Sequence, residues 1–149
     1  DSSNLSNLQT LSQISLSGEF TIGFKMNATG TNNTIIGDNT TSNEYFKITS
    51  STGLRVKTDA DLGNLTVIDN TLTDVYVVVT RDSSNVVRFS VDGVAQASSV
   101  TVTGTSDIDA IGIRATDVNS FDGEIFEVQI YDKIDSTLTS NINTYLANI

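Results

Sequence analysis

Val75-Tyr-Val-Val-Val-Thr-Arg-Asp-Ser-Ser-Asn-Val-Val-Arg-Phe-Ser-Val-Asp-Gly-Val-Ala95 holds three strand segments and two turns in a single run. Val75–Thr80 is a β-branched, apolar stretch of strand length, and Asp82-Ser83-Ser84-Asn85 is a polar turn. Val86–Val91 reads as a second strand. Asp92-Gly93 is then the two-residue signature of a type I′ hairpin, which needs positive φ at both positions and sends the chain back antiparallel. The stretch is a β-meander.

The same grammar extends in both directions. Glu19–Met26 alternates, with Phe20, Ile22, Phe24 and Met26 on one face and Thr21 and Lys25 on the other, the period of a half-buried strand. Short strands are expected at Thr34–Gly37, Glu44–Thr49, Leu54–Lys57, Leu65–Ile68, Ser98–Val102 and Ala110–Arg114, with Gly104–Asp109 and Ala115–Ser120 as loops. Phe121–Tyr131 is the last long strand. On regular alternation Phe126, Val128 and Ile130 form its apolar side. Beyond Asp135 the period changes: Leu138, Ile142, Tyr145, Leu146 and Ile149 make a helical stripe, with Ser136 as the expected N-cap. Some ten or eleven strands plus one helix predict an all-β fold, a two-sheet antiparallel sandwich of jelly-roll type, as a single domain over residues 1–149. The expected shared core is Phe20, Ile22, Phe24, Phe46, Ile48, Val77, Val79, Phe89, Val91, Val128 and Ile130.

Composition narrows the chemistry. With no Cys and no His, the chain lacks a disulfide framework, a thiolate nucleophile and the commonest general base and zinc ligand. Its net charge of −10 and eight Lys and Arg argue against nucleic-acid partners. No apolar run approaches the ~20 residues that span a bilayer, so membrane insertion is not expected. Asp1 in place of an initiator Met suits a processed product or an excised domain.

Several segments, in order, resemble the laminin-G-like (pentraxin-like) branch of the concanavalin A-like lectin/glucanase superfamily. Leu16-Ser-Gly-Glu-Phe-Thr-Ile-Gly-Phe-Lys25 is similar to its first core strand, and Glu44-Tyr-Phe-Lys-Ile-Thr49 with Gly53-Leu-Arg-Val56 to its central hairpin. Tyr76–Val94 is similar to its Arg-Asp, Val-Asp-Gly stretch, and Ile111-Gly-Ile113 with Phe121-Asp-Gly-Glu-Ile-Phe-Glu-Val-Gln-Ile-Tyr131 to its closing strands. Asp74-Val75-Tyr76 stands where the family usually has a Trp, and Gln129 where it usually has a basic residue. The resemblance implies lectin, adhesion, virion or glycosidase roles. Glycosidases of this fold set catalytic carboxylates on one strand face. Of the four Glu residues here, only Glu124 and Glu127 are close in sequence, and three positions along a regular strand put them on opposite faces. No catalytic residue is therefore expected.

What remains is recognition. Tyr45, Lys47, Arg55 and Lys57 fall on the outward sides of adjacent strands, where an exposed aromatic could stack on a pyranose and cations and amides could meet its hydroxyls; Asn119 joins them as a loop amide. Loop carboxylates Asp107, Asp109, Asp117 and Asp122 are the candidate ligands for a calcium ion. The expected function is a non-catalytic module outside the cell or on a virion surface, binding glycan in an adhesion role. The alternative is an architectural phage decoration or fibre domain acting by protein–protein contact. A homo-oligomer fits either.

Overall fold

The computed structural model describes residues 8–40, 44–68, 70–115 and 119–149, which build two antiparallel sheets and one helix. Sheet A has the order β1 (Leu8–Leu16), β11 (Ser106–Ile111), β3 (Thr34–Gly37), β4 (Tyr45–Ser50), β5 (Gly53–Lys57) and β6 (Leu62–Thr66). Sheet B has the order β10 (Val100–Thr101), β8 (Val86–Val91), β7 (Asp74–Arg81), β2 (Phe20–Ala28) and β12 (Gly123–Tyr131), with the two-residue β9 (Val94–Ala95) paired to β8. The jelly-roll-type sandwich expected from the sequence is the fold.

The meander forms as its residues dictate. Asp82 Oδ1 accepts from the backbone N–H of Ser84 (2.9 Å) and Val86 (3.0 Å), the local side-chain bonding that makes Asp a turn residue. Asp92 and Gly93 have φ of 49° and 77°, both positive as the type I′ turn requires. Asp92 Oδ1 also takes the Tyr76 N–H at 3.0 Å, tying the turn to β7.

Alternation buries one face of each sheet. Phe20, Ile22 and Phe24 of β2, Val77 and Val79 of β7, and Phe89 and Val91 of β8 meet Phe46, Ile48, Leu54 and Val56 of sheet A. Phe20 and Phe46 pack edge to face, with centroids 5.7 Å apart. Arg81, fully buried, closes one end of this core. Its guanidinium donates to the carbonyls of Gly18 (2.7 Å), Gly104 (2.9 Å) and Leu16 (2.9 Å) and lies over the Phe20 ring at 4.9 Å. One buried side chain thus ties together three backbone carbonyls, and its own donors are paired.

The outer face of sheet B is covered. The helix α1 (Ser136–Leu146) packs Ile142 and Leu146 against Val78, and Gly23 makes room for it, since a Cβ there would lie 2.4 Å from Ile142 Cγ2. The apolar stripe is narrower than the sequence suggests: Leu138, Ile142 and Leu146 face the sheet, whereas Tyr145 and Ile149 are exposed. The N-cap is Asp135 rather than Ser136. Asp135 has extended backbone, and its Oδ1 accepts the Leu138 N–H at 2.9 Å, a bond that a carboxylate one residue earlier reaches first.

Two strands differ from the expected pattern. Ser106–Ile111 is β11 and the chain leaves the sheet at Gly112 (φ 78°), so the strand lies earlier than expected and Asp107 and Asp109 sit on it rather than in a loop. In β12 the register slips between Ile125 and Glu127. Phe126 is the extra residue of a β-bulge, which reverses the alternation beyond it. Ile125 therefore joins Val128 and Ile130 against the core, and Phe126 is 52% exposed.

Candidate functional site

Among the described residues no helix covers the outer face of sheet A, and most of the residues gathered there are polar. Strand register sets them side by side: Tyr45 opposes Lys57, Lys47 opposes Arg55, and Arg55 opposes Asn64, while the alternating Phe46, Ile48, Leu54 and Val56 face the core. Directly opposed residues share a face with Cβ atoms about 5 Å apart. The four residues expected on one face are neighbours in register there, with Tyr45 and Lys47 buried.

A strap of chain adds to this face. Leaving β11 at Gly112, it crosses β3, with the Gly112 N–H donating to Ile35 O and the Ala115 N–H to Asp38 O, both at 2.8 Å. Gly37 permits the crossing: a Cβ there would lie 2.9 Å from both Arg114 Cβ and Ile113 O. The crossing sets the Arg114 guanidinium over the Tyr45 ring, 4.5 Å from its centroid, with Lys47 Nζ at 5.8 Å. Tyr45 is accordingly only 5% exposed. The expectation of a free aromatic platform is corrected, because cation–π contacts occupy the ring.

Asn119 is brought to the same place from a distant loop. Its carbonyl accepts the Thr34 N–H at 2.8 Å and its side-chain Oδ1 accepts from Asn32 Nδ2. Asn32 Oδ1 in turn accepts from Lys47 Nζ. Both asparagines are in the left-handed region, with φ of 71° and 60°, a conformation Asn tolerates better than most residues. Asn32 and Arg114 were not among the sequence candidates. The Gly30-Thr-Asn-Asn33 turn signal offered the only hint of the first, and nothing in the local pattern marks the second.

Electrostatics single out Lys47, which is 4% exposed. Burial lowers the pKa of its ammonium, and the neighbouring Arg114 and Arg55 guanidiniums lower it further, since each disfavours another positive charge. Arg55 donates through Nε to Asn64 Oδ1 at 2.8 Å. Lys47 and Arg55 are thus both bonded to neutral amides, whereas Arg88 pairs with the Asp82 carboxylate.

Of the carboxylates expected to hold calcium, Asp107 and Asp109 are engaged separately. Asp107 Oδ1 accepts from Ser15 Oγ, and Asp109 Oδ1 takes the Asn39 N–H at 2.6 Å. Asp122 lies in the turn before β12, where its carbonyl accepts from the Thr29 N–H (2.9 Å) and Asn33 Nδ2 (3.3 Å). Asp117 lies outside the described residues. Among the described residues no three His, Cys, Asp or Glu side chains are grouped to hold a metal ion. The buried Glu44 accepts the Asp107 N–H at 2.5 Å. Burial, followed by the charges of Asp107, Asp38 and Asp59, raises its pKa above the usual carboxylate range despite that bond.

Glu124 and Glu127 also require correction. The bulge at Phe126 places Glu124 opposite Asn27 and Glu127 opposite Lys25, alternate positions of β2, so the two carboxylates share the outer face of sheet B. Glu124 is exposed, and Glu127 accepts from Gln129 Nε2 at 3.3 Å.

This architecture agrees with the comparisons. The model of the Laminin_G_3 family, of the concanavalin A-like lectin/glucanase superfamily, matches residues 2–139, and the chain belongs to that family. Among solved structures it is similar to the native heptameric SAP-like pentraxin of Limulus polyphemus, at 13% identity and TM-score 0.69 over 98% of this chain and 77% of the other. It is also similar to the binding domain of botulinum neurotoxin DC in complex with SialylT, at 16% identity and TM-score 0.62, covering 87% of this chain but only 36% of that one. A third is domain 4 of AbnA, an extracellular arabinanase of Geobacillus stearothermophilus, in complex with arabinotriose, at 16% identity and TM-score 0.60 over 89% and 68% of the two chains. These likenesses carry the fold. A search of curated protein sequences returns no significant match. Among the described residues no helix is long and apolar enough to cross a membrane.

Proposed function

We propose that this chain is a non-catalytic glycan-recognition module, working in an adhesion role outside the cell or on a virion surface, with its ligand on the outer face of sheet A. The observation that carries this reading is the gathering of Lys47, Arg55, Lys57 and Asn119 on the one sheet face that no helix covers. Cations and amides fixed by strand register are suited to hydroxyl-rich ligands, because each donor is held in place before binding. Tyr45 acts beneath them as the ring on which Lys47 and Arg114 rest. Neighbours of the same fold, one a toxin binding domain in complex with SialylT and one domain 4 of an arabinanase in complex with arabinotriose, support the reading. Assembly of several copies would strengthen weak single sites through avidity.

A glycan array probed with the wild-type chain and with Arg55→Gln is the test: wild-type signals that vanish in the variant support the site, and an array with no signal removes the function. The contacts proposed are calcium-independent. Running the array and a thermal melt with millimolar calcium and with chelator tests the Asp107, Asp109, Asp117 and Asp122 expectation, because an ion held only by the folded chain must raise the midpoint. The architectural alternative has one observation in its favour. Ile68 and Val94, 50% and 64% exposed, line an open cleft of about 360 Å³ at the β8–β9 hairpin, suited to protein contact.

A further inference from the structure

Charge is distributed very unevenly over this molecule. The chain carries 18 Asp and Glu against eight Lys and Arg, yet β4, β5 and β6 contain Lys47, Arg55 and Lys57 and not one acid. Arg114, delivered by the strap, brings four of the eight cations to this one face. A chain with a surplus of carboxylates could neutralise its cations cheaply, as Arg88 does with Asp82. Here Lys47 and Arg55 bond to Asn32 and Asn64 instead.

A second observation comes from the floor of the same face. Thr34 directly opposes Lys47 across β3 and β4. Its Oγ1 is fully buried and has no hydrogen-bond partner among the described residues, a state that costs about 1–3 kcal/mol for a lost partner. A hydroxyl left unpaired beside a buried ammonium that lacks a counter-charge is the arrangement expected of a place prepared for an oxygen-rich anion.

We infer that the outer face of sheet A selects acidic saccharides, with the carboxylate or sulfate of the sugar held by Arg55 and Lys47 and neighbouring hydroxyls met by Asn32, Asn64 and Asn119. This rests on the glycan-binding reading above and adds to it the charge class of the ligand. The lowered pKa of Lys47, caused by burial and then by Arg114 and Arg55, accords with the assignment: an anion beside it would offset that field and favour the charged form. Against a net charge of −10, a local cationic face also orients approach, so that an acidic polymer meets the molecule on this side.

The experiment is titration of the full chain, by calorimetry at about 0.15 M salt, with dextran, dextran sulfate, polygalacturonate and inorganic polyphosphate. The expected result is at least tenfold tighter binding of polygalacturonate or dextran sulfate than of dextran, weakening as salt rises, with the better of the two naming carboxylate or sulfate as the anion. Polyphosphate should bind at least tenfold more weakly, because it lacks hydroxyls for the amides. Arg55→Gln and Lys47→Met should each lose tenfold or more, and Arg55→Gln, at a partly exposed position, should melt like wild type. Binding of neutral dextran as tight as its sulfate, or acidic binding unchanged in both variants, would overturn the inference and leave glycan recognition standing. Polyphosphate binding as tight as the acidic sugars would overturn the saccharide selectivity. No binding to any saccharide here or on the array would remove the glycan-recognition reading itself.

Discussion

Two buried cations, Arg81 and Lys47, meet opposite fates in this fold. Arg81 ends β7 between the sheets and donates to three backbone carbonyls from two separate stretches of chain while stacking on Phe20. Its desolvation is offset by these three hydrogen bonds. Lys47, in the middle of β4, has one amide acceptor, one aromatic ring and two guanidiniums nearby. The difference teaches where to look for function: a buried charge whose partners are complete holds the fold together, and one whose partners are incomplete is available to a ligand. The sheet faces repeat the contrast. Sheet B carries α1 over Gly23 and Val78, whereas, among the described residues, the polar side of sheet A is crossed only by the strap that brings Arg114 over Tyr45.

The largest expected effect lies on the complete side. Arg81→Met should strand the carbonyls of Leu16, Gly18 and Gly104 and destabilise by roughly 3–5 kcal/mol in a denaturant titration. A loss under about 1 kcal/mol would erase the distinction between the two cations. Next comes Gly23→Val. Its side chain would collide with Ile142 and undock or shift α1, costing about 1–3 kcal/mol. A melting curve unchanged from wild type would show that the helix contributes little to sealing sheet B.

A smaller effect is expected from Glu44→Gln and depends on pH. The folded-state pKa of Glu44 is raised above the value of the unfolded chain, so its protonation favours folding. That contribution is full below the unfolded value of about 4.5 and is lost as pH rises through the folded one. The wild type should therefore lose stability relative to Glu44→Gln over that window, read from paired melts at pH 4 and pH 7. A constant difference between the two proteins would contradict the assigned shift. The smallest effect sharpens the comparison most. Lys47→Met should leave stability unchanged or raise it by up to about 1 kcal/mol, because an incompletely compensated buried charge is replaced by an isosteric thioether. A loss resembling that of Arg81→Met would mean that Lys47 is structural.

Much of this was legible in the chain. The meander from Val75 to Ala95, the Asp92-Gly93 turn and the period of Phe20 to Met26 each encode their conformation locally, so alternation and turn chemistry sufficed. Nine of the eleven expected core residues are fully buried, and Val128 and Ile130 pack against them. The outward row of Tyr45, Lys47, Arg55 and Lys57 followed from the same period. The bulge at Phe126 was not legible, because one inserted residue leaves composition unchanged while reversing every face beyond it; the shared face of Glu124 and Glu127 was lost with it. Neither was the encounter of Asn32 with Asn119, 87 residues apart, or that of Arg114 with Tyr45. Both depend on a strap whose path over Gly37 is set by tertiary packing.

Whether the outer face of sheet A is the binding surface is read most directly by amide chemical-shift mapping. The isotope-labelled chain would be titrated with a galacturonate oligosaccharide and with its methyl-esterified, uncharged form. The account predicts that the acidic sugar shifts the amides of Asn32, Thr34, Lys47, Arg55, Asn64 and Asn119, leaves α1 and the β8–β9 hairpin still, and is mimicked only weakly by the ester. Shifts confined to the Ile68–Val94 cleft or to the turn at Asp122, or equal shifts from both sugars, would contradict it.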